Sequence, residues 1–207
     1  GDRVVQWTLQ GSITDADGNL IYAHESQGRR VLSPQSAYLM TSLLQTVTSS
    51  GTGAKLSGAG TPVAGKTGTV NMTGGGNRDI WMAAYNSEIA TACWMGFDNP
   101  DNQHKMQGWV SGGDYTAALS TKFYKSCYDG QKKPEFRTVD GIVRLKIDRN
   151  SIEWAGQPML ATSLTPKDYA YSEVFLSSNR PTRESNVWKA PRSLSGFYVT
   201  HNSKGNR

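Results

Sequence analysis

The stretch Gly65-Lys66-Thr67-Gly68-Thr69 is entered through Thr61-Pro62-Val63-Ala64 and left through Val70-Asn71. Its lysine, two hydroxyls and glycine alternate along an extended strand. One edge of that strand then presents an ammonium, hydroxyl donors and backbone N–H groups, a set suited to gripping a carboxylate.

A competing pattern covers the same residues. Gly60 to Thr67 satisfies G-x-x-x-x-G-K-[ST], the phosphate loop of nucleotide-binding proteins. That loop needs an apolar strand before it and a helix after it, so that N–H groups and the helix N-terminus converge on phosphate. Here Ser49 to Gly60 is rich in Gly, Ser and Thr, and Gly68 to Gly76 is composed of poor helix formers. The nucleotide reading therefore stands as a remote alternative.

Further marks surround the strand in order: Leu32-Ser33-Pro34-Gln35-Ser36-Ala37-Tyr38-Leu39-Met40, Ser50-Gly51-Thr52-Gly53-Ala54, Asp79-Ile80-Trp81-Met82-Ala83-Ala84-Tyr85 and Trp94-Met95-Gly96-Phe97-Asp98. With Lys66-Thr67-Gly68-Thr69 they make the segment from Val31 to about Gly113 resemble the second half of the transpeptidase domain of a class A, bifunctional penicillin-binding protein. The resemblance implies an α/β (α+β) penicillin-binding/β-lactamase-like fold, a central antiparallel sheet flanked by helices, present only in part. The reaction it implies is D-Ala-D-Ala transpeptidation through a serine acyl-enzyme, which needs no cofactor. The implied partners are peptidoglycan stem peptides and β-lactam antibiotics. A β-lactamase is a weaker match, because such compact domains end soon after their final helix, whereas this chain runs on past Cys127 to Arg207.

Composition agrees with a globular protein: 207 residues, 37% apolar and 19% charged. The net charge of +5 is scattered, apart from Arg29-Arg30 and Lys132-Lys133, and without a basic stripe no nucleic-acid partner is expected. No metal constellation is expected either, since His104 and His201 stand apart and Cys93 and Cys127 lack ligand spacing. Cys93, inside the apolar run Ile89 to Met95, reads as a small core residue, with a Cys93–Cys127 disulfide left open for an oxidising compartment. No apolar run approaches the ~18–20 residues of a membrane span. The resembled family works on the extracytoplasmic face of the membrane, so the expected anchor is an upstream segment absent from this chain.

Residues 4 to 22 read as a hairpin-like pair turning at Asp15-Ala16-Asp17-Gly18-Asn19. Ser33 and Pro34 supply an N-cap and first-turn proline for a helix whose apolar face is Ala37, Met40, Leu44 and Val47. Ile80–Tyr85 and Ile89–Phe97 form a hairpin next to the Lys66 strand. Asp114 caps a final helix through about Tyr128, seated on the sheet by Ala117, Ala118, Leu119 and Phe123. Residues 1–128 are thus the C-terminal part of the transpeptidase domain. Residues 129–207 are a linker, Asp129 to Pro134, and a small β-rich extension with strands at Gly141–Asp148 and Glu173–Leu176 and irregular chain after Pro181.

Two elements of the resembled active site are missing. Serine and lysine in S-x-x-K share a helix face, so that the amine accepts the hydroxyl proton, and the chain has no S-x-x-K. Its one S-x-N match, Ser177-Ser178-Asn179, follows the K-T-G-T strand instead of preceding it and reads as a surface loop. Truncation or nicking is the simplest expectation, with both motifs on an upstream fragment of the same protein and this chain inactive alone. By resemblance, Lys66 serves the proton network, and the Thr67 and Thr69 hydroxyls bind the substrate carboxylate. Gly68 keeps the strand wall thin, the Thr69 N–H is an oxyanion donor, and Asn71 shapes the cleft rim. The alternative from another class is a noncatalytic wall-binding or scaffold module.

Overall fold

A computed structural model describes residues 12–23 and 29–188. Strands β1 (Ser12–Thr14) and β2 (Leu20–Ala23) pair antiparallel across the turn at Asp15. The Asp15 carboxylate accepts from the N–H groups of Asp17 and Asn19, and Gly18 takes a positive φ of 85° that a side chain would disfavour. Residues 4–11 of the expected hairpin lie outside the described residues.

Helix α1 (Pro34–Ser50) starts where the cap signal puts it, with Ser33 Oγ accepting from Ser36 N–H and proline in the first turn. Its inward face differs from the expected one. Met40 is 52% exposed, while Thr41 and Thr48 are buried. Each hydroxyl has a partner: Thr41 bonds the Tyr85 hydroxyl, and Thr48 donates to Val63 O. A buried threonine so bonded costs little, so tertiary partners override the apolar count.

A short 3₁₀ turn (Ala54–Ala59) leads into β3 (Ala64–Asn71), which pairs antiparallel with β4 (Asn77–Tyr85), which pairs antiparallel with β5 (Ala90–Gly96). The order β3-β4-β5 is the expected three-stranded arrangement and, among the described residues, leaves β3 at an edge. Ile80, Met82 and Ala84 of β4 are buried on one face. The β3–β4 turn passes through Gly74, Gly75 and Gly76, all at positive φ. The loop from Phe97 to Asp114 is knitted to the sheet by buried Asn77, whose amide donates to Val110 O at 2.6 Å.

Helix α2 (Tyr115–Cys127) covers the buried face, with Ala117 buried as expected but Leu119 and Phe123 turned outward. Leu119 and Phe123 are 56% and 45% exposed. Thr116, Ser120 and Tyr124 join Ala117 on the inward face. The chain carries two stripes at helical spacing, and the smaller side chains let the helix approach closely enough for Tyr124 to reach the sheet. The core cluster is Leu56, Ala59, Val63, Met82, Ala84, Ala117, Tyr124 and Tyr128, with Cys93 and Cys127 packed against it as free thiols. Burial pushes the Cys93 thiol up, in keeping with a packing role.

Tyr124 donates to Ala84 O at 3.0 Å, and its burial holds the phenol above its ordinary value of 10.0. The folded state therefore keeps this proton longer than the unfolded chain. Stability is fully present below that ordinary value and is lost as pH climbs through the higher folded one. Urea unfolding between about pH 9 and 11 is expected to show this decline, with a shallower slope in Tyr124→Phe. An identical slope in the variant would remove Tyr124 as its source.

The chain divides between Ile142 and Val143 into two compact units. In the second, β6 (Ile142–Asp148) runs into helix α3 (Arg149–Ala155), and β7 (Met159–Leu160) and β8 (Ala170–Leu176) flank β6 in the order β7-β6-β8. The strands at β6 and β8 match expectation, whereas α3 does not appear in the sequence reading. Asp148 caps α3 by accepting from Asn150 N–H, and its second oxygen accepts from the Ser185 hydroxyl. Ser177–Asn179 is an exposed 3₁₀ turn. Among the described residues no helix is long and apolar enough to cross a membrane.

Candidate active site

Strand β3 holds Lys66, Thr67, Gly68 and Thr69 at the edge of the sheet, where among the described residues one side of the strand has no partner strand. The phosphate-loop alternative fails here, because the chain continues from Lys66 as strand as far as Asn71 and no helix follows. Thr67 and Thr69 pair with Met82 and Ile80, so both hydroxyls leave one face of β3. Lys66 and Gly68 pair with Ala83 and Trp81 on the other. The lysine nevertheless joins the hydroxyls: its Nζ donates to Thr67 O at 2.9 Å and lies 3.4 Å from Thr67 Oγ1. Among the described residues no carboxylate pairs with that ammonium.

Gly68 also lets the two strands pack closely at this rung. A Cβ there would stand 3.2 Å from Trp81 Cβ, on the rung where the two residues face each other. Asn71 lies past a register shift at Val70/Asn71, exposed at the end of the strand and separate from the Lys66–Thr69 group.

Two segments that the sequence reading gave no role close on the hydroxyls. Thr52, just before the 3₁₀ turn, places its Oγ1 2.9 Å from Thr67 Oγ1. Gly112, just before α2, donates its N–H to Thr69 Oγ1 at 3.3 Å. Asp114 does not cap α2 through its side chain. Its carboxylate accepts from Ser111 N–H and Ser111 Oγ, each at 2.9 Å, and from Lys55 Nζ at 3.2 Å. The Ser111 hydrogen bonds, with Lys55 adding to them, hold the Asp114 carboxyl below the usual range. The Thr52-Gly53 and Gly112-Gly113 pairs were the available signal, since paired small residues permit such close approach.

At Gly112 the approach leaves no room for a side chain: a Cβ would fall 2.2 Å from Trp81 O and 2.7 Å from Gly68 O. Gly112→Ala is expected to lower stability by about 1–3 kcal/mol, as overpacking against rigid backbone does, read as a lower urea midpoint. A midpoint equal to that of the unsubstituted protein would mean that the loop does not lie on β3.

Fold and site together define a helix-backed antiparallel sheet whose strand β3 carries an ammonium and two hydroxyls side by side. The chain belongs to the penicillin-binding protein transpeptidase family, a family of peptidoglycan synthesis: the model of the "Penicillin binding protein transpeptidase domain" matches residues 2–124. Its relatives are class A proteins. Penicillin-binding protein 1F of Bacillus subtilis is 39% identical over 110 residues, 52% of this chain and 15% of that protein. Penicillin-binding protein 1A of Pseudomonas aeruginosa is 31% identical over 154 residues, 73% of this chain and 17% of that protein. The chain thus spans less than a fifth of the length of these relatives. The crystal structure of penicillin-binding protein 1A from Haemophilus influenzae shares the fold, with a TM-score of 0.65 at 20% identity over 89% of this chain and 31% of that one.

Proposed function

We propose that this chain supplies the substrate-gripping strand of a peptidoglycan D-Ala-D-Ala transpeptidase. The observation that carries the reading is the convergence of the Lys66 ammonium and the Thr67 hydroxyl, with Thr69 beside them, on an exposed sheet edge free of any carboxylate partner among the described residues. Such a site lacks the negative charge that a stem-peptide or β-lactam carboxylate brings.

In this reading Thr67 and Thr69 hold the carboxylate, and Gly68 lets the substrate backbone lie along β3. A serine hydroxyl attacks the penultimate D-Ala carbonyl carbon, the Thr69 N–H steadies the oxyanion, and the terminal D-Ala leaves with a proton. An amine of a second stem peptide then displaces the serine from the acyl-enzyme. Lys66 belongs to the proton network, and Asn71 shapes the rim. The S-x-x-K and S-x-N groups lie on a segment outside this sequence, so the isolated chain is inactive. Residues 1–128 form the end of the transpeptidase domain, and 129–207 a linker and small extension. The site faces the outside of the bacterial membrane, held there by an anchor elsewhere in the protein.

The test is a denaturing gel of the full-length polypeptide that carries this chain, after reaction with a fluorescent penicillin. Label on a serine outside these residues, lost on competition with a D-Ala-D-Ala peptide, is the expected result. An unlabelled full-length protein would leave a noncatalytic wall-binding module in its place.

A further inference from the structure

We infer that Thr52 is a positioning residue of this site: by donating to Thr67 it leaves the Thr67 proton for an arriving anion. The inference rests on the transpeptidase reading and assigns a residue that this reading leaves without a role.

The argument is one of hydrogen-bond capacity. A threonine hydroxyl has one proton to donate and two lone pairs to accept with. Around Thr67 Oγ1 stand the Lys66 ammonium at 3.4 Å and the Thr52 hydroxyl at 2.9 Å. The ammonium can only donate, so it occupies one lone pair. The Thr52–Thr67 contact admits either direction. If Thr52 donates, both lone pairs of Thr67 are filled, and its proton is free for the carboxylate that the strand is built to hold. If Thr67 donates, its proton is spent on Thr52. An anion arriving at the edge accepts from Thr67 and thereby selects the first arrangement. Thr69 already has that polarity, because Gly112 N–H fills one of its lone pairs and leaves its proton free.

For this to help binding, Thr52 must already be in place before the anion arrives, and three ties hold its segment. A Cβ on Gly113 would lie 2.2 Å from Thr52 O, so the loop before α2 rests directly on the Thr52 backbone. Lys55 pairs with Asp114 at 3.2 Å, and the Thr121 hydroxyl of α2 donates to Lys55 O at 2.9 Å. The Thr52 segment is thereby tied to α2 and to the loop before it. Thr52 itself is exposed, so its side chain contributes little to the core.

The test compares the acylation rate of a penicillin with that of its methyl ester, in the full-length polypeptide, for the unsubstituted protein, Thr52→Val and Thr52→Ser. The carboxylate form benefits from the hydroxyl proton and the ester far less. Thr52→Val leaves the Thr67 proton in place but removes the donor that fills its second lone pair and strengthens its bond to the carboxylate, so the carboxylate-to-ester rate ratio is expected to shrink about threefold, the scale of one neutral hydrogen bond, with Thr52→Ser restoring it. A structural role would instead lower both rates together along with the urea midpoint, and that result overturns the inference, as does an unchanged ratio in Thr52→Val. Absence of acylation in the unsubstituted protein overturns the transpeptidase reading and this inference with it.

Discussion

Replacing Lys66 with alanine is expected to lower the rate of acylation of the full-length polypeptide by a fluorescent penicillin by roughly 10²–10⁴-fold, the range for loss of a positioned proton-transfer group. The lysine is exposed, and its contacts are the neutral Thr67 oxygens, so no buried counter-charge is stranded when it goes. Folding is spared, and the loss falls on the chemistry. Lys66→Arg is expected to recover little, because a planar guanidinium cannot reach the same point between Thr67 O and Oγ1 nor give up a proton as an amine does. Rates are read from band intensity against time. A rate in Lys66→Ala equal to that of the unsubstituted protein would exclude the lysine from the reaction, whatever the labelling of the protein as a whole.

The second large effect is on stability. Met82→Ala is expected to cost about 2–5 kcal/mol, the range for deleting a fully buried long side chain into a cavity. Met82 is 0% exposed. Its terminal methyl occupies space that two glycines leave open: a Cβ would meet it at 2.7 Å from Gly65 and at 3.3 Å from Gly53. Met82→Leu, of similar volume, is expected to cost less than about 1.5 kcal/mol. Urea unfolding followed by tryptophan fluorescence reads both. Equal midpoints for Met82→Ala and Met82→Leu would mean that the site collapses around the loss. Because Met82 opposes Thr67 across the β3–β4 ladder, the cavity also opens beside Thr67 on the same face of the sheet.

Much of this was legible in the residues. Alternation and turn glycines marked β3, β4 and β5 in their order, and Ser33-Pro34 marked the start of α1, because strand pleat and helix capping depend on neighbours within a few positions. That Lys66, Thr67 and Thr69 sit side by side on one strand was legible for the same reason. Missed were contacts between segments distant in sequence. The inward face of α2 was settled by how closely the helix approaches β4, which favoured Ala117 and Ser120 over Leu119 and Phe123. Asp114 has the residue type of a cap, yet Ser111 and Lys55 took its carboxylate. Thr52 and Gly112, separated along the chain from Thr67 and Thr69, became their partners only when β3, the 3₁₀ turn and α2 packed together. Local sequence therefore determined the strand and its donors, and tertiary packing decided which partners those donors meet, since a hydroxyl bonds only groups that folding brings within reach.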